Sequence, residues 1–440
     1  MSRLVAILSP VWACVVAEAE TSTDSAGVKL DDFLAAAIEY SPRLAVAREN
    51  RNIEAARRAA ASGQLLPQIS ATAHVTENRR ETLGRLEEFR GERYSVQVDQ
   101  ALFDWQAFTA RRRAQRLEAM QEAEYWFEFS LTLTEVADRY LGVLQAQDAR
   151  ESTEAELTAV TSQVEQIQSL FDRELAPITD LRRAQAGLSS VRADQVRLRS
   201  EFELARQALQ AWSGRPVGDL HALGEGAAPP LGHDVEHWVQ LAHENNLQIE
   251  AGRLAVEAAA AGVSQSKGAL LPRLALVALR QNANVGFDNA PIRRTDITYV
   301  GVNATMPVFS GGTRLAAIRQ AGAIRARAER ELHQLELDVG DRVHRTYLQL
   351  QAGQSLQEAA AAFVVSTTLS AEAMQQGFTL GTATNVDVLN AIRDRFRAER
   401  DLREIRYGNI RQFLQLKHES GTLTLADMAE VSSWFEEPEP

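Results

Sequence analysis

The sequence predicts a mainly α-helical chain with a small β portion, built as two tandem copies of one plan, a strand pair joined to long coiled-coil helices. Three observations carry this. The chain has 440 residues and 12 prolines, none of them between Pro67 and Pro177 or between Pro307 and Pro438. Turn-rich domains place proline and glycine about every dozen residues, so two such gaps mark very long helices. Apolar residues recur at alternating spacings of three and four over long runs. Landmarks also repeat at a nearly constant offset. Leu65-Leu66-Pro67 returns as Leu270-Leu271-Pro272, Phe103 as Phe309, and Ser213-Gly214 as Ser420-Gly421, at shifts of 205, 206 and 207.

In chain order, the first element is an apolar leader. Arg3, the run Leu4 to Ala17 and the small-x-small series Ala17-Glu18-Ala19 read as a signal peptide over 1–19. A rival reading makes Cys14 a lipidated N-terminus after Val-Trp-Ala, against which stands Trp12 inside such a site. Beyond Ala19 there is no run of 18 apolar residues. A helical span needs about 20, so a membrane crossing by this chain has to use strands. Cys14 is the only cysteine, which excludes a disulfide scaffold. Lys and Arg number 47 against 59 Asp and Glu, and 47 − 59 = −12. Nucleic acid is therefore not an expected partner, because phosphate neutralisation needs a basic surface.

The first copy occupies 20–214: a helix from Leu30 to Leu66, strands at about 68–76 and 93–103, a long helix over 104–171 and a return helix over 178–213. A Gly/Pro/Ala-rich linker, 215–234, comes next. The second copy, 235–421, repeats the order with a helix from Val235 to Leu271, strands at about 273–284 and 297–309, a long helix over 312–377 and a return helix over 385–420. At 1.5 Å per residue each long helix spans on the order of 100 Å, longer than any globular core. The last stretch, 422–440, carries Asp427, Glu430, Glu436, Glu437 and Glu439 and no Lys or Arg, so it reads as a weakly ordered acidic tail.

Helix faces say what they pack against. Leu157, Val160, Val164, Ile167 and Phe171 share one stripe. Leu181, Ala184, Leu188, Val191, Leu198, Phe202, Ala205, Leu209 and Trp212 share another, broken only by Gln195. A period of 3.5 sustained over that length marks a coiled-coil seam, whereas an ordinary bundle helix drifts to 3.6.

Strand faces alternate. Ile69, Ala71, Ala73 and Val75 oppose Gln68, Ser70, Thr72 and His74, and Tyr94, Val96 and Val98 oppose Arg93, Ser95 and Gln97. Val300, Val302, Ala304, Met306 and Val308 form one face of the last strand, while 273–283 alternates poorly. Period two with one apolar face means a sheet between apolar and polar surroundings. Polar loops are expected at Glu77 to Glu92 and Asn284 to Asp296. A small soluble sheet has the same local pattern; the leader and the lack of any other core for four strands favour a membrane barrel with external loops. Four strands cannot enclose a lumen, and an open edge is not tolerated in lipid. Several chains must then share a barrel, two giving eight strands and a plugged interior, three giving twelve and a conduit.

These residues resemble the TolC family of outer-membrane channel proteins over essentially the whole mature chain. The resemblance rests on the duplicated Leu-Leu-Pro stops, the strand exit Val308-Phe309-Ser310-Gly311-Gly312 and the tip Gly377-Phe378-Thr379-Leu380-Gly381-Thr382 with Val386-Asp387-Val388-Leu389. It implies a homotrimer with a twelve-stranded barrel in outer-membrane lipid, continued by a twelve-helix periplasmic tunnel. Its tip would meet a periplasmic adaptor (membrane fusion protein) and an inner-membrane pump of ABC or RND type, exporting small molecules or secreted proteins. The resemblance also carries site residues. Asp387 matches the first of two acidic positions ringing the entrance, and the second is Asn390 here. Thr179 and Asp180 match polar gate residues, whose usual Tyr and Arg partners are Phe378 and Ala383 in this chain, so that latch cannot form. Other pairs, through Arg182 or Arg393, or packing of Phe378, would replace it. Adaptor docking falls to Glu174, Leu175, Gly377, Gly381 and Thr382. Glu174 stands where the family has Gly, and a left-handed cap there costs a non-Gly residue about 1 kcal/mol.

Read without the resemblance, Asp180 and Asp387 lie near helix starts, where a carboxylate complements the dipole. Capping fits Asp180. For Asp387, three carboxylates about one axis would attract cations and raise one another's pKa. His233, His237 and His243 lack a defined ligand shell for a metal. Gly224-x-Gly226 and Gly311-Gly312 lack the following Lys-Ser/Thr of a phosphate loop. No nucleophile–base pair points to an enzyme, and no cofactor is implied. The competing function is a periplasmic coiled-coil adaptor or scaffold without a membrane-spanning part.

Overall fold

A computed structural model describes residues 29–82, 84–224, 229–284 and 293–436. The leader, Cys14, Glu437 and Glu439 lie outside them. The elements are α1 (Leu30–Tyr40), α2 (Pro42–Gly63), β1 (Gln68–Thr82), β2 (Arg85–Phe103), α3 (Trp105–Asp172), α4 (Ile178–Ser213), β3 (Ala222–Leu223), α5 (Val235–Asn245), α6 (Leu247–Gly268), β4 (Arg273–Ala283), β5 (Thr295–Thr305), α7 (Thr313–Thr379), α8 (Asn385–Glu419), α9 (Leu425–Ser432) and β6 (Phe435–Glu436).

The opening helix of each copy is two helices, not one. In the first copy Pro42 begins α2, and Ser41 Oγ accepts from Leu44 N at 3.4 Å. In the second, Asn246 Oδ1 accepts from Gln248 N and Ile249 N at 2.9 and 3.2 Å. In each case a side-chain cap takes over orphan N–H groups and restarts the helix after one extended residue. Both capping residues are buried against the core.

α3 and α7 run 68 and 67 residues. Asp104 starts α3, its Oδ1 accepting from Ala107 N at 3.0 Å. Gly311 and Gly312, with φ of +61° and +81°, make the sharp entry to α7 that a side chain would strain. Near the strands the helices lie in the order α2, α3, α6, α7, and toward the far end in the order α4, α3, α8, α7. The main core lies midway, where Tyr140, Leu141, Leu209, Val343, Leu350 and Phe413 meet α1 through Phe33.

Three further expectations are corrected. Glu77 to Glu92 is not a loop: β1 and β2 pair through to Thr82 and Arg85. Arg80 pairs with Glu87 at 2.7 Å and Arg79 with Glu88 at 3.7 Å, so opposite charges face each other across the ladder. β5 ends at Thr305, and Met306 to Phe309 lie outside it, consistent with Pro307 having no N–H to give a ladder. The acidic tail is ordered over the described residues. Its apolar Met428, Val431 and Phe435 are buried, β6 pairs with β3 of the linker, and Asp427 meets Lys417 at 2.5 Å. Acidity alone hid a segment that contributes to the core, and Val217 and Leu220 of the linker join it there.

The four long strands form one antiparallel sheet in the order β1-β2-β4-β5. Register settles the ambiguous strand β4. Ile69 faces Val98, Val98 faces Ala278 and Ala278 faces Val300, so Leu274, Leu276 and Ala278 share the apolar face. Ser70, Gln97, Leu279 and Tyr299 make a row of the opposite face.

Candidate functional site

The far end of the helix pairs holds two turns with the same construction. α3 ends with Glu174 N donating to Phe171 O and Leu175 N to Leu170 O, both at 2.8 Å. α7 ends with Gly381 N donating to Phe378 O at 3.1 Å and Thr382 N to Gly377 O at 2.8 Å. Each turn needs one left-handed residue to bring the last amides back onto the helix carbonyls. That residue is Glu174, at φ +59°, in the first and Gly381, at +78°, in the second. Glu174 is the one non-glycine residue with positive φ among the described residues. Leu175 and Leu380 crown the turns, 71% and 79% exposed. The Gly377 carbonyl is the hub of the second turn, accepting also from Ala383 N at 3.2 Å and Thr382 Oγ1 at 3.1 Å.

The two return helices start differently, and the capping role expected of Asp180 falls to Asp387 instead. α4 begins at Pro177, with no side-chain cap, and Asp180 lies in its first turn without bonding a terminal amide. α8 begins with a reciprocal box: Asp387 N donates to Thr384 Oγ1 at 3.3 Å, while Thr384 N and Oγ1 donate to Asp387 Oδ2 at 2.9 and 2.6 Å. Asp387 is thus the capping acid. The Thr384 hydroxyl, then its amide, hold the Asp387 carboxyl below the usual carboxylate range within one chain. Asn390 and Thr179 are exposed, and Phe378 and Ala383 are half-buried. Arg182 is engaged within its own helix, donating to Gln185 at 3.1 Å.

The start of α8 is anchored on the first copy. Leu389 and Ile392 join the cluster of Val160, Ile167, Leu181 and Ala184 on the α3–α4 seam, whose heptad stripes are those visible in the sequence. Buried Asn385 accepts from Gln163 Nε2 at 3.1 Å. Sequence reasoning missed the polar rungs farther along this seam between copies. Arg400 bonds Glu156 at 2.8 Å, Tyr407 Oη donates to Asp148 at 2.7 Å, and Arg411 bonds Asp138 at 2.6 Å and Gln145 at 3.0 Å. Burial pushes the Asp148 carboxyl and the Tyr407 hydroxyl up. The signal was present as a polar stripe along α3, at 138, 145, 148, 152, 156 and 163. Only its partners, some 250 residues away, were invisible. Among the described residues no group of three or more metal-ligating side chains forms, and the His233 and His237 rings stack at 4.3 Å.

A strand pair with long paired helices, repeated twice and joined in one four-stranded sheet, agrees with an independent match to known sequences. The family model described as outer membrane efflux protein matches residues 33–215 and again 238–422. The chain belongs to the outer membrane efflux protein family. It is similar to the outer membrane protein TolC of Vibrio cholerae serotype O1, 28% identical over 374 residues covering 84% of this chain and 85% of that one. The alkaline protease secretion protein AprF of Pseudomonas aeruginosa is 27% identical over 345 residues, covering 78% and 72%. Among solved structures, the fold is shared with CusC at a TM-score of 0.80 and 15% identity, covering 89% of this chain and 92% of that one. It is shared also with VceC of Vibrio cholerae at 0.79 and 19%, covering 89% and 96%. Membership in the outer membrane efflux protein family makes the chain an outer-membrane channel of the efflux and secretion type, with a periplasmic helical portion. The reading as an adaptor without a membrane-spanning part is set aside, because the family match spans both copies.

Proposed function

We propose that three copies form one exit duct for small molecules or secreted proteins. The observation that carries this is the pattern of open edges. The sheet order leaves β1 and β5 unpaired on their outer sides, and the lower helix layer leaves α4 and α7. Val196 and Leu204 on α4 are 71% and 62% exposed, and Leu356 and Phe363 on α7 are 55% and 56% exposed. Joining β5 to β1 and α7 to α4 of the next chain covers both kinds of edge with one rotation, and three chains close the ring at twelve strands and twelve helices.

In this duct the tip turns meet a periplasmic adaptor and, through it, an inner-membrane pump of ABC or RND type. Glu174, Leu175, Gly377, Gly381 and Thr382 offer the docking surface. Asp387 and Asn390, with Thr179, Asp180, Phe378 and Ala383, line the entrance. Closure rests on the polar rungs between α3 and α8, because the usual latch partners are absent. Detergent-resistant trimers from outer-membrane fractions that conduct ions in planar bilayers are the expected result. Monomers, or trimers without conductance, would overturn the reading.

A further inference from the structure

The strand register places a charge where a lipid-facing surface does not ordinarily carry one. On the apolar face, the row above Ile69, Val98, Ala278 and Val300 reads Ala71, Val96, Arg280 and Thr298. Arg280 is exposed and makes no ion pair or side-chain hydrogen bond among the described residues. Neighbouring arginines are satisfied by acids: Arg273 by Asp104 at 3.1 Å, Arg294 by Glu92 at 3.1 Å, and Arg80 by Glu87. The nearest acid on the same face is Asp296, directly opposite Asn282, whose Nδ2 donates to it at 2.6 Å; Glu92, opposite Val75 and farther out, is held by Arg294.

Position along the strand explains how such a charge is tolerated. β4 has 11 residues, a suitable length for one tilted crossing, and Arg280 is three residues from its outer end at Ala283. A lipid-facing arginine is far less costly there than at mid-depth, because its stem can stay along hydrocarbon while the guanidinium reaches the headgroups. Tyr94 lies on the same face opposite Asn282 and is 46% exposed, as an interfacial aromatic would be.

We infer that Arg280 binds the phosphate of an outer-leaflet lipid headgroup and so fixes the height of the channel in the membrane. This rests on the reading of the sheet as the membrane wall. The guanidinium presents a planar fork of donors that fits two oxygens of one phosphate, which an ammonium does not. The apolar neighbours Val96, Ala278 and Val300 select a phosphate that carries acyl chains.

The test uses the full-length protein in mild detergent, titrated with bis-phosphorylated lipid A and with its dephosphorylated form, bound lipid being counted by native mass spectrometry. The expected result is roughly tenfold weaker binding of the phosphorylated lipid to Arg280→Gln than to the unmodified protein, with Arg280→Lys between them. Dephosphorylated lipid should bind the unmodified protein and Arg280→Gln alike. Equal binding of the phosphorylated lipid by the unmodified protein and Arg280→Gln would overturn the inference. So would displacement of the lipid by millimolar inorganic phosphate, which would make this a free-anion site. A fluorophore on Val300→Cys in bilayers with nitroxide-labelled chains separates the two readings. Absence of quenching there defeats the membrane-wall reading, whereas quenching without any effect of Arg280→Gln defeats the phosphate site alone.

Discussion

Glu174 and Gly381 occupy the same place in the two tip turns, both left-handed, at φ +59° and +78°. The glycine adopts that conformation freely, whereas the glutamate carries a Cβ into it. Glu174→Gly should therefore stabilise the first turn by about 1 kcal/mol, and Gly381→Ala should destabilise the second by about the same amount. Amide exchange at Leu175 and Thr382, which donate the closing bonds, reads the two effects separately. Slower exchange at Leu175 in Glu174→Gly is the expected sign, and faster exchange there would contradict it.

Substitution can separate the capping role of Asp387 from its proposed place at the entrance. Thr384→Ala removes the hydroxyl that holds its carboxyl low but leaves the charge. The carboxyl pKa should then rise toward the ordinary value while block by multivalent cations in planar bilayers persists. Asp387→Ala should abolish that block. If the Asp387→Ala channel is blocked as readily as the unmodified one, the carboxylates do not form the constriction.

Periodicity makes most of this architecture legible in the sequence. The α3–α4 stripe through Val160, Ile167, Leu181 and Leu188 is visible because one seam repeats the same chemistry every seven residues. The break at Ser41 has a local signal in Pro42, while Asn246 resembles any other polar residue until its two amide bonds are seen. Arg400 and Glu156 cannot be paired from sequence, since nothing local distinguishes a partly buried, paired arginine from a solvated one. The tail misleads for the opposite reason. Its acids are conspicuous, and the three apolar residues that bury it are few.

His418 gives the central region a defined acid response. It is buried, its Nδ1 lies 2.8 Å from Ser130 Oγ, and its ring packs on Phe127 at 5.0 Å. Burial lowers its pKa, outweighing the attraction of Glu419 and reinforced by Arg342. The folded state therefore favours the neutral ring. Its contribution is complete above the unfolded pKa of about 6.5 and is lost as pH falls through that value toward the folded one. Thermal unfolding between about pH 7.5 and 5 should show a falling midpoint that His418→Gln flattens. An unchanged slope in the variant would assign the acid response elsewhere.

The seam between copies adds polar rungs to its apolar contacts. α3 meets α4 through Val160, Ile167 and Leu188; it meets α8 through apolar Leu389 and Ile392 and, farther along, through Glu156–Arg400, Asp148–Tyr407 and Asp138–Arg411. Apolar packing resists separation at any small displacement, whereas polar rungs can exchange partners for water when two helices shift. In the proposed duct the polar stretch of the α3–α8 contact is accordingly the part suited to yield. Arg400→Ala leaves Glu156, whose side chain is 7% exposed, without its ion pair. Removing one member of a buried pair costs about 3–5 kcal/mol, reduced here to about 2–3 because Arg400 is itself 26% exposed. Single-channel conductance of Arg400→Ala should rise well above that of Thr179→Ala or Asp180→Ala, and Glu156→Gln with Arg400→Gln should recover most of the stability. A large increase from Thr179→Ala or Asp180→Ala, with none from Arg400→Ala, would return the latch to the first-copy tip.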